Sequence, residues 1–86
     1  MNGARTIETI FDIVHAAVGP ERAPRIAEDT RLLDEGGLDS LGLVTLVAEL
    51  DRVFAITISN EDLTARNFHS VRDIATLVDR YLAAAE

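Results

Sequence analysis

Residues 36–54 read GGLDSLGLVTLVAELDRVF, and this stretch decides the fold. From Ser40 onward its apolar residues recur every three or four positions, which is the spacing of one broad helical face. They are Leu43, Leu46, Val47, Leu50, Val53 and Phe54. Asp39 stands where an N-cap is needed, because an aspartate there can accept a hydrogen bond from the first helical turn. The stretch therefore predicts a glycine-bearing loop that leads into a helix over Ser40–Phe54.

The N-terminal side predicts another amphipathic helix, over residues 6–18, followed by a long loop. The apolar positions of this helix are Ile7, Ile10, Phe11, Val14 and Val18. Gly19 and Pro20 end it, because proline cannot continue the ladder of hydrogen bonds. Residues 20–39 show no sustained period and read as an ordered loop. Its Leu32-Leu33 pair is expected to dock onto the core.

The C-terminal side predicts an extended connector and two more helices. Ile56 and Ile58 alternate with polar or small residues in the connector, and both are expected to be buried. Residues 59–62, SNED, resemble a capping box and announce a short third helix. Residues 70–73 repeat this pattern before a final helix whose apolar positions are Val71, Ile74, Leu77, Val78, Tyr81 and Leu82.

Together these elements predict an all-α fold, a small four-helix bundle in a single domain of residues 1–86. Three helices are long, the third is short, and a long loop joins the first two. Nothing in the sequence requires more than a monomer.

The charge of the chain restricts its partners. Eight basic residues against fifteen acidic ones give a formal net charge of −7. This sign disfavours nucleic acids and anionic membranes and favours basic protein surfaces. No apolar run approaches the length of a membrane span, and no secretion signal is evident at the start, so a cytoplasmic location is expected. The chain has no cysteine, so any thiol chemistry must come from a cofactor.

Ser40 is the strongest candidate functional residue. It stands where a glycine-bearing loop meets the start of a helix, so its hydroxyl is expected to be exposed and easily modified. A phosphate ester there would meet unpaired N–H groups and the positive end of the helix dipole. The structural alternative is an ordinary helix-starting serine.

The sequence around Ser40 resembles the acyl and peptidyl carrier protein family. The family has Asp-Ser-Leu at the head of its second helix after a glycine-containing loop, and residues 33–41, LDEGGLDSL, match it. The resemblance continues through residues 50–58, LDRVFAITI, and 68–75, FHSVRDIA. It therefore covers most of the chain and favours a modified Ser40.

The resemblance implies a carrier without catalytic activity of its own. Ser40 would hold a covalent 4'-phosphopantetheine arm taken from coenzyme A by a magnesium-dependent phosphopantetheinyl transferase, which would read Asp39. The thiol of the arm would hold acyl or aminoacyl thioesters. The implied partners are this transferase, an adenylating ligase, and a downstream synthase, transferase or thioesterase.

A second apolar stripe on the same helix comprises Leu41, Val44 and Ala48. One reading is that Leu41 and Val44 stay exposed and dock partner enzymes, with Asp39, Glu49 and Asp51 as acidic contacts. The other reading is that the long loop covers the stripe.

The match departs from carriers of fatty acid synthesis, which usually have more glutamates along this helix than residues 42–48 provide. Residues 42–48 and 62–68 are more similar to discrete carriers of specialised pathways than to carriers of fatty acid synthesis. A biosynthetic role outside primary fatty acid synthesis is therefore expected.

Other chemistries fit the sequence less well. A serine hydrolase needs a glycine where Leu38 stands, and neither His15 nor His69 is placed to suggest a triad. The acidic residues of the loop do not follow a calcium-binding pattern, and no metal site is expected. The alternative from another class is an unmodified acidic helical module that binds and regulates a basic partner protein.

Overall fold

The computed structural model describes residues 3–21 and 23–85. It contains three α-helices, α1 (Gly3–Val18), α2 (Ser40–Phe54) and α3 (Val71–Ala85), and two 3-10 turns at Ala23–Arg25 and Asn60–Asp62. The described ranges contain no strand, and the all-α prediction is confirmed. Across the same ranges, no helix is both long and apolar enough to cross a bilayer.

The core forms where α1 packs against both α2 and α3. The fully buried side chains of the three helices are Ile10, Val14, Leu46, Leu50, Val71, Ile74, Leu77 and Val78. Burying an aliphatic side chain of this size contributes roughly 1.5–3 kcal/mol, so the predicted apolar faces hold the helices together. Val53 departs from the prediction and is 40% exposed. The next residue, Phe54, is half-buried and packs against the core, so Val53 lies at the edge of the buried face.

The segment between α1 and α2 is tied to α3 and to the residues just before it. The Leu32 N–H donates to the His69 carbonyl over 2.9 Å, and the Arg72 N–H donates to the Glu28 carbonyl over 3.1 Å. The Arg72 side chain also contacts Glu28 and Asp29 at 2.9 and 3.0 Å. These contacts account for an ordered segment despite its lack of long helices.

The Leu32-Leu33 pair docks through one residue only. Leu32 is fully buried, whereas Leu33 is 40% exposed. Neighbouring side chains in a turn point in different directions, so one hydrophobic pair cannot supply two core residues here. The expectation that both leucines dock is wrong for Leu33.

The connector after α2 begins at Ala55, which adopts a left-handed conformation with φ of 54°. The Ile56 N–H then donates to the Asp51 carbonyl over 3.1 Å. Ile58 is buried and Ile56 is half-buried, so the predicted burial is complete only for Ile58.

The predicted short third helix is reduced to the single 3-10 turn at Asn60–Asp62. The Asn67 side chain donates to the Asp62 carbonyl over 2.8 Å, and the Asn67 N–H donates to the Thr64 hydroxyl. Polar side chains of this kind compete with the backbone hydrogen bonds of a helix. The described residues therefore form three α-helices, and the four-helix bundle is not confirmed.

Both ends of α3 are held by side-chain hydrogen bonds. Ser70 caps its start, because the Asp73 N–H donates to the Ser70 hydroxyl, which donates to the Asp73 carboxylate. Near its end, the Tyr81 hydroxyl donates to Asp62 Oδ2 over 2.6 Å and accepts from the Ser59 N–H over 2.9 Å. The connector is thereby attached to α3.

Candidate functional site

The loop before Ser40 reverses direction at the glycine pair. A Cβ atom on Gly36 would lie 2.9 Å from the Cα of Leu32 and 3.0 Å from its carbonyl oxygen. Gly37 has a φ of 72°, a backbone conformation that residues other than glycine rarely adopt. The Leu38 N–H then donates to the Leu32 carbonyl over 2.8 Å, and the Leu38 side chain is buried. The chain is thus fixed two residues before Ser40.

Asp39 caps the N-terminus of α2, as predicted. Its backbone is extended, with φ of −100° and ψ of −176°, and its Oδ1 accepts from the Gly42 N–H over 2.7 Å. The first N–H groups of a helix have no acceptor within it. In the described part of the chain, those of Ser40 and Leu41 have no hydrogen-bond acceptor. They remain available at the positive end of α2, next to the exposed Ser40.

Gly42 allows α2 to approach the end of α1 closely. A Cβ atom at this position would lie 3.3 Å from the Ala17 carbonyl oxygen and 2.9 Å from Cδ1 of Leu38. Beside this contact lies an open pocket of about 340 Å³, whose lining includes Glu21 and Asp39. Gly42 therefore has a packing role that the sequence did not reveal.

The stripe that begins at Leu41 faces solvent. Leu41 is 76% exposed and Val44 67% exposed, and Ala48 is also exposed. The side chains of Leu32 and Leu38, in the loop before α2, are buried in the core and do not cover this stripe. The reading in which the loop covers Leu41 and Val44 is therefore wrong.

The two acidic residues later in α2 have partners within the chain. Glu49 forms an ion pair with Arg52 at 2.6 Å, and this contact raises the pKa of Arg52. Asp51 Oδ1 accepts from the Ile58 N–H over 3.1 Å. The structure thus brings Asp39, Leu41 and Val44 together around Ser40, whereas Asp51 serves the connector after α2. This bond to Ile58 could not be predicted from the sequence, because no local pattern links two residues seven positions apart.

The histidines lie on other elements than the start of α2. His15 belongs to α1, where its Nε2 is buried and has no hydrogen-bond partner in the described residues. His69 precedes α3, with Nδ1 3.5 Å from Asp73 Oδ2. Within residues 3–21 and 23–85, no group of three or more histidine or acidic side chains is arranged to hold a metal ion.

The site presents one serine hydroxyl to solvent on a fixed helix terminus, beside exposed apolar side chains. A hydroxyl at this place suits the attachment of a negatively charged group that is presented to other proteins. The family model described as "Phosphopantetheine attachment site" matches residues 8–78. This match covers most of the sequence, and the chain belongs to that family, which confirms the resemblance to acyl carrier proteins.

Several acyl carrier proteins are similar in sequence. The acyl carrier protein of Onion yellows phytoplasma (strain OY-M) is 35% identical over 74 residues, which cover 83% of this chain and 95% of the relative. That of Aster yellows witches'-broom phytoplasma (strain AYWB) is 42% identical over 73 residues, covering 85% and 92%. Acyl carrier protein 3, chloroplastic, of Hordeum vulgare is 30% identical over 79 residues, covering 92% and 58%. The cofactor of this chain is accordingly covalent 4'-phosphopantetheine.

Proposed function

We propose that this chain holds 4'-phosphopantetheine on Ser40 and acts as a single carrier domain over residues 1–86. The observation that carries the proposal is the setting of Ser40, exposed at the first position of α2. The N–H groups of Ser40 and Leu41 favour the negative charge of a phosphodiester at this helix terminus. The Asp39 carboxylate accepts only the Gly42 N–H, so the N–H groups of Ser40 and Leu41 can donate to the phosphate.

The chain's own residues position the attachment point. When bound, the cofactor supplies a thiol that holds an acyl or aminoacyl group as a thioester. The turn at Gly36 and Gly37 and the buried Leu38 hold the Ser40 hydroxyl outward, where a phosphopantetheinyl transferase can reach it. Bond making and breaking belong to the partner enzymes: the transferase, an adenylating ligase, and a downstream synthase, transferase or thioesterase.

Partner enzymes dock on the exposed face at the start of α2. Leu41 and Val44 supply an apolar contact next to Ser40, and apolar side chains this exposed mark interaction sites when they cluster. Asp39 supplies the nearest acidic contact for the transferase. Glu49 and Asp51 supply acidic contacts further along the helix, and their existing bonds to Arg52 and the Ile58 N–H hold them in place.

The carrier serves a specialised pathway and not primary fatty acid synthesis. Residues 42–48 contain no acidic residue, so the face next to Ser40 is mainly apolar. The similar proteins are called simply acyl carrier proteins. Support for a specialised pathway therefore comes from residues 42–48, together with the similarity of residues 62–68 to discrete carriers. Residues 42–48 favour partners with a less basic and more apolar docking surface.

Intact mass spectrometry tests the attachment. After incubation with coenzyme A, Mg²⁺ and a broad-specificity transferase, the wild-type protein should gain the mass of one phosphopantetheine group. Ser40→Ala should gain none, whereas Ser59→Ala, which alters another exposed serine, should load like wild type. Loading of Ser40→Ala would place the group elsewhere. An unloaded wild-type protein would favour the unmodified regulatory module.

A pair of charge substitutions tests the docking face. Leu41→Glu should raise the KM of the transferase for the carrier by about tenfold while the thermal unfolding temperature stays near that of wild type. Val53→Glu is the control, because it introduces the same charge at a 40% exposed apolar position near the other end of α2. Equal effects of the two variants would argue against a contact centred on Leu41.

A further inference from the structure

A second and larger concavity lies between the segment after the Asn60–Asp62 turn and the exposed side of α3. Its volume is about 570 Å³, and its lining includes Asp62, Thr64, Arg66, Asn67, Asp73 and Arg80. The segment that forms one wall is held by the Asn67 side chain, which donates to the Asp62 carbonyl. One wall of the pocket is therefore a loop held by a hydrogen bond, and the other is α3.

Two unpaired guanidinium groups face this pocket. Arg31, Arg52 and Arg72 each form an ion pair with a carboxylate. In the described part of the chain, neither Arg66 nor Arg80 has such a partner, although the whole sequence carries a net charge of −7. Two guanidinium groups without ion-pair partners thus share one concave surface with the carboxylates of Asp62 and Asp73.

The acidic residues of the pocket are engaged in other contacts. Asp62 Oδ2 accepts from the Tyr81 hydroxyl over 2.6 Å and from the Ser59 hydroxyl over 3.3 Å. Asp73 Oδ2 accepts from the Ser70 hydroxyl over 3.0 Å. Both carboxylates are oriented by these hydrogen bonds, so the two arginines keep their donor groups for a ligand.

We propose that Arg66 and Arg80 bind carboxylates of an acidic segment on a partner protein. The planar guanidinium group donates two parallel hydrogen bonds to a carboxylate, and two such groups suit a segment with more than one acidic side chain. The open pocket of about 570 Å³ has room for a stretch of side chains. The proposal rests on the proposed function only in assuming that the chain docks partner proteins.

This contact would select the partner and its orientation. The acidic remainder of the surface attracts basic partner surfaces, whereas Arg66 and Arg80 offer hydrogen-bond donors to acidic side chains of the partner. A partner must therefore present basic and acidic regions at the right separation, and charge patterns of this kind contribute more to specificity than to affinity.

NMR titration of the full chain, in apo and phosphopantetheine-loaded forms, tests the proposal with a hexaglutamate peptide. The side-chain N–H signals of Arg66 and Arg80 should shift, and Arg66→Gln or Arg80→Gln should weaken peptide binding by about three- to tenfold. Arg25→Gln is the matched control, because Arg25 is also exposed and unpaired within the described ranges but lies outside the pocket. It should change binding less than about twofold.

Three results would overturn the proposal. They are the absence of peptide binding, an equal loss of binding in Arg25→Gln, and binding of inorganic phosphate at the same residues as tightly as the peptide. The last result would mean that the pocket takes small anions. Ser40→Ala should still bind the peptide, so a failure of cofactor attachment and a failure of the pocket are distinguishable.

Discussion

At the residue scale, Asp39 caps α2, and we propose that the transferase also reads its charge. Its carboxylate accepts the Gly42 N–H over 2.7 Å, and Asp39 directly precedes Ser40 in the chain. The sequence allowed the cap to be predicted because its residue type and position are both local features. Substitutions at this one position distinguish the capping role from the proposed recognition of the charge.

Asp39→Ala should lower the free energy of unfolding by about 1 kcal/mol, because it removes the cap. Asp39→Asn should be close to wild type in stability, because an asparagine oxygen can accept the same hydrogen bond. Urea unfolding measures the free energy of unfolding of both variants. If the transferase reads the charge, both variants should load more slowly. A fully stable Asp39→Ala would contradict the capping role.

Gly42→Ala should destabilise the protein although alanine favours helix. The gain in helix propensity is about 1 kcal/mol, whereas overpacking costs about 1–3 kcal/mol. The added Cβ would meet the Ala17 carbonyl oxygen, which belongs to the backbone of α1 and cannot move aside easily. Thermal unfolding should show a net loss. Thr45→Ala, on the exposed side of α2, is the control and should change stability little.

At the scale of elements, local patterns predicted α2 well and the segment after it poorly. The spacing of Leu46 and Leu50 and the N-cap Asp39 lie within or next to the helix they define. The predicted short third helix is only one 3-10 turn, because hydrogen bonds of the Asn67 and Thr64 side chains engage backbone groups that a longer helix would need. The exposure of Leu33 and the bond from Ile58 to Asp51 depend on how the chain folds back, which periodicity does not encode.

Tyr81→Phe tests the attachment of the connector to α3. The variant keeps the ring but removes the hydroxyl that contacts Asp62 and the Ser59 N–H. We expect a loss of about 1–2 kcal/mol in the free energy of unfolding and faster hydrogen exchange at the Ser59 amide. Unchanged exchange at Ser59 would show that this contact does not hold the connector.

At the scale of the whole molecule, the charge of −7 should govern encounters with partner enzymes. Exposed charges are screened by salt over a Debye length of about 10 Å at 0.1 M ionic strength. With coenzyme A saturating, raising the salt concentration should therefore raise the KM of a transferase for this carrier several-fold and leave kcat nearly constant. A KM that is independent of salt would contradict electrostatic attraction of a basic partner.

The most direct test of the account is tandem mass spectrometry of the protein purified from its native host. Digestion and fragmentation should locate one phosphopantetheine group on the peptide that contains Ser40, at that serine. The same peptide found entirely unmodified, or the group found on Ser59 or Ser70, would contradict the account.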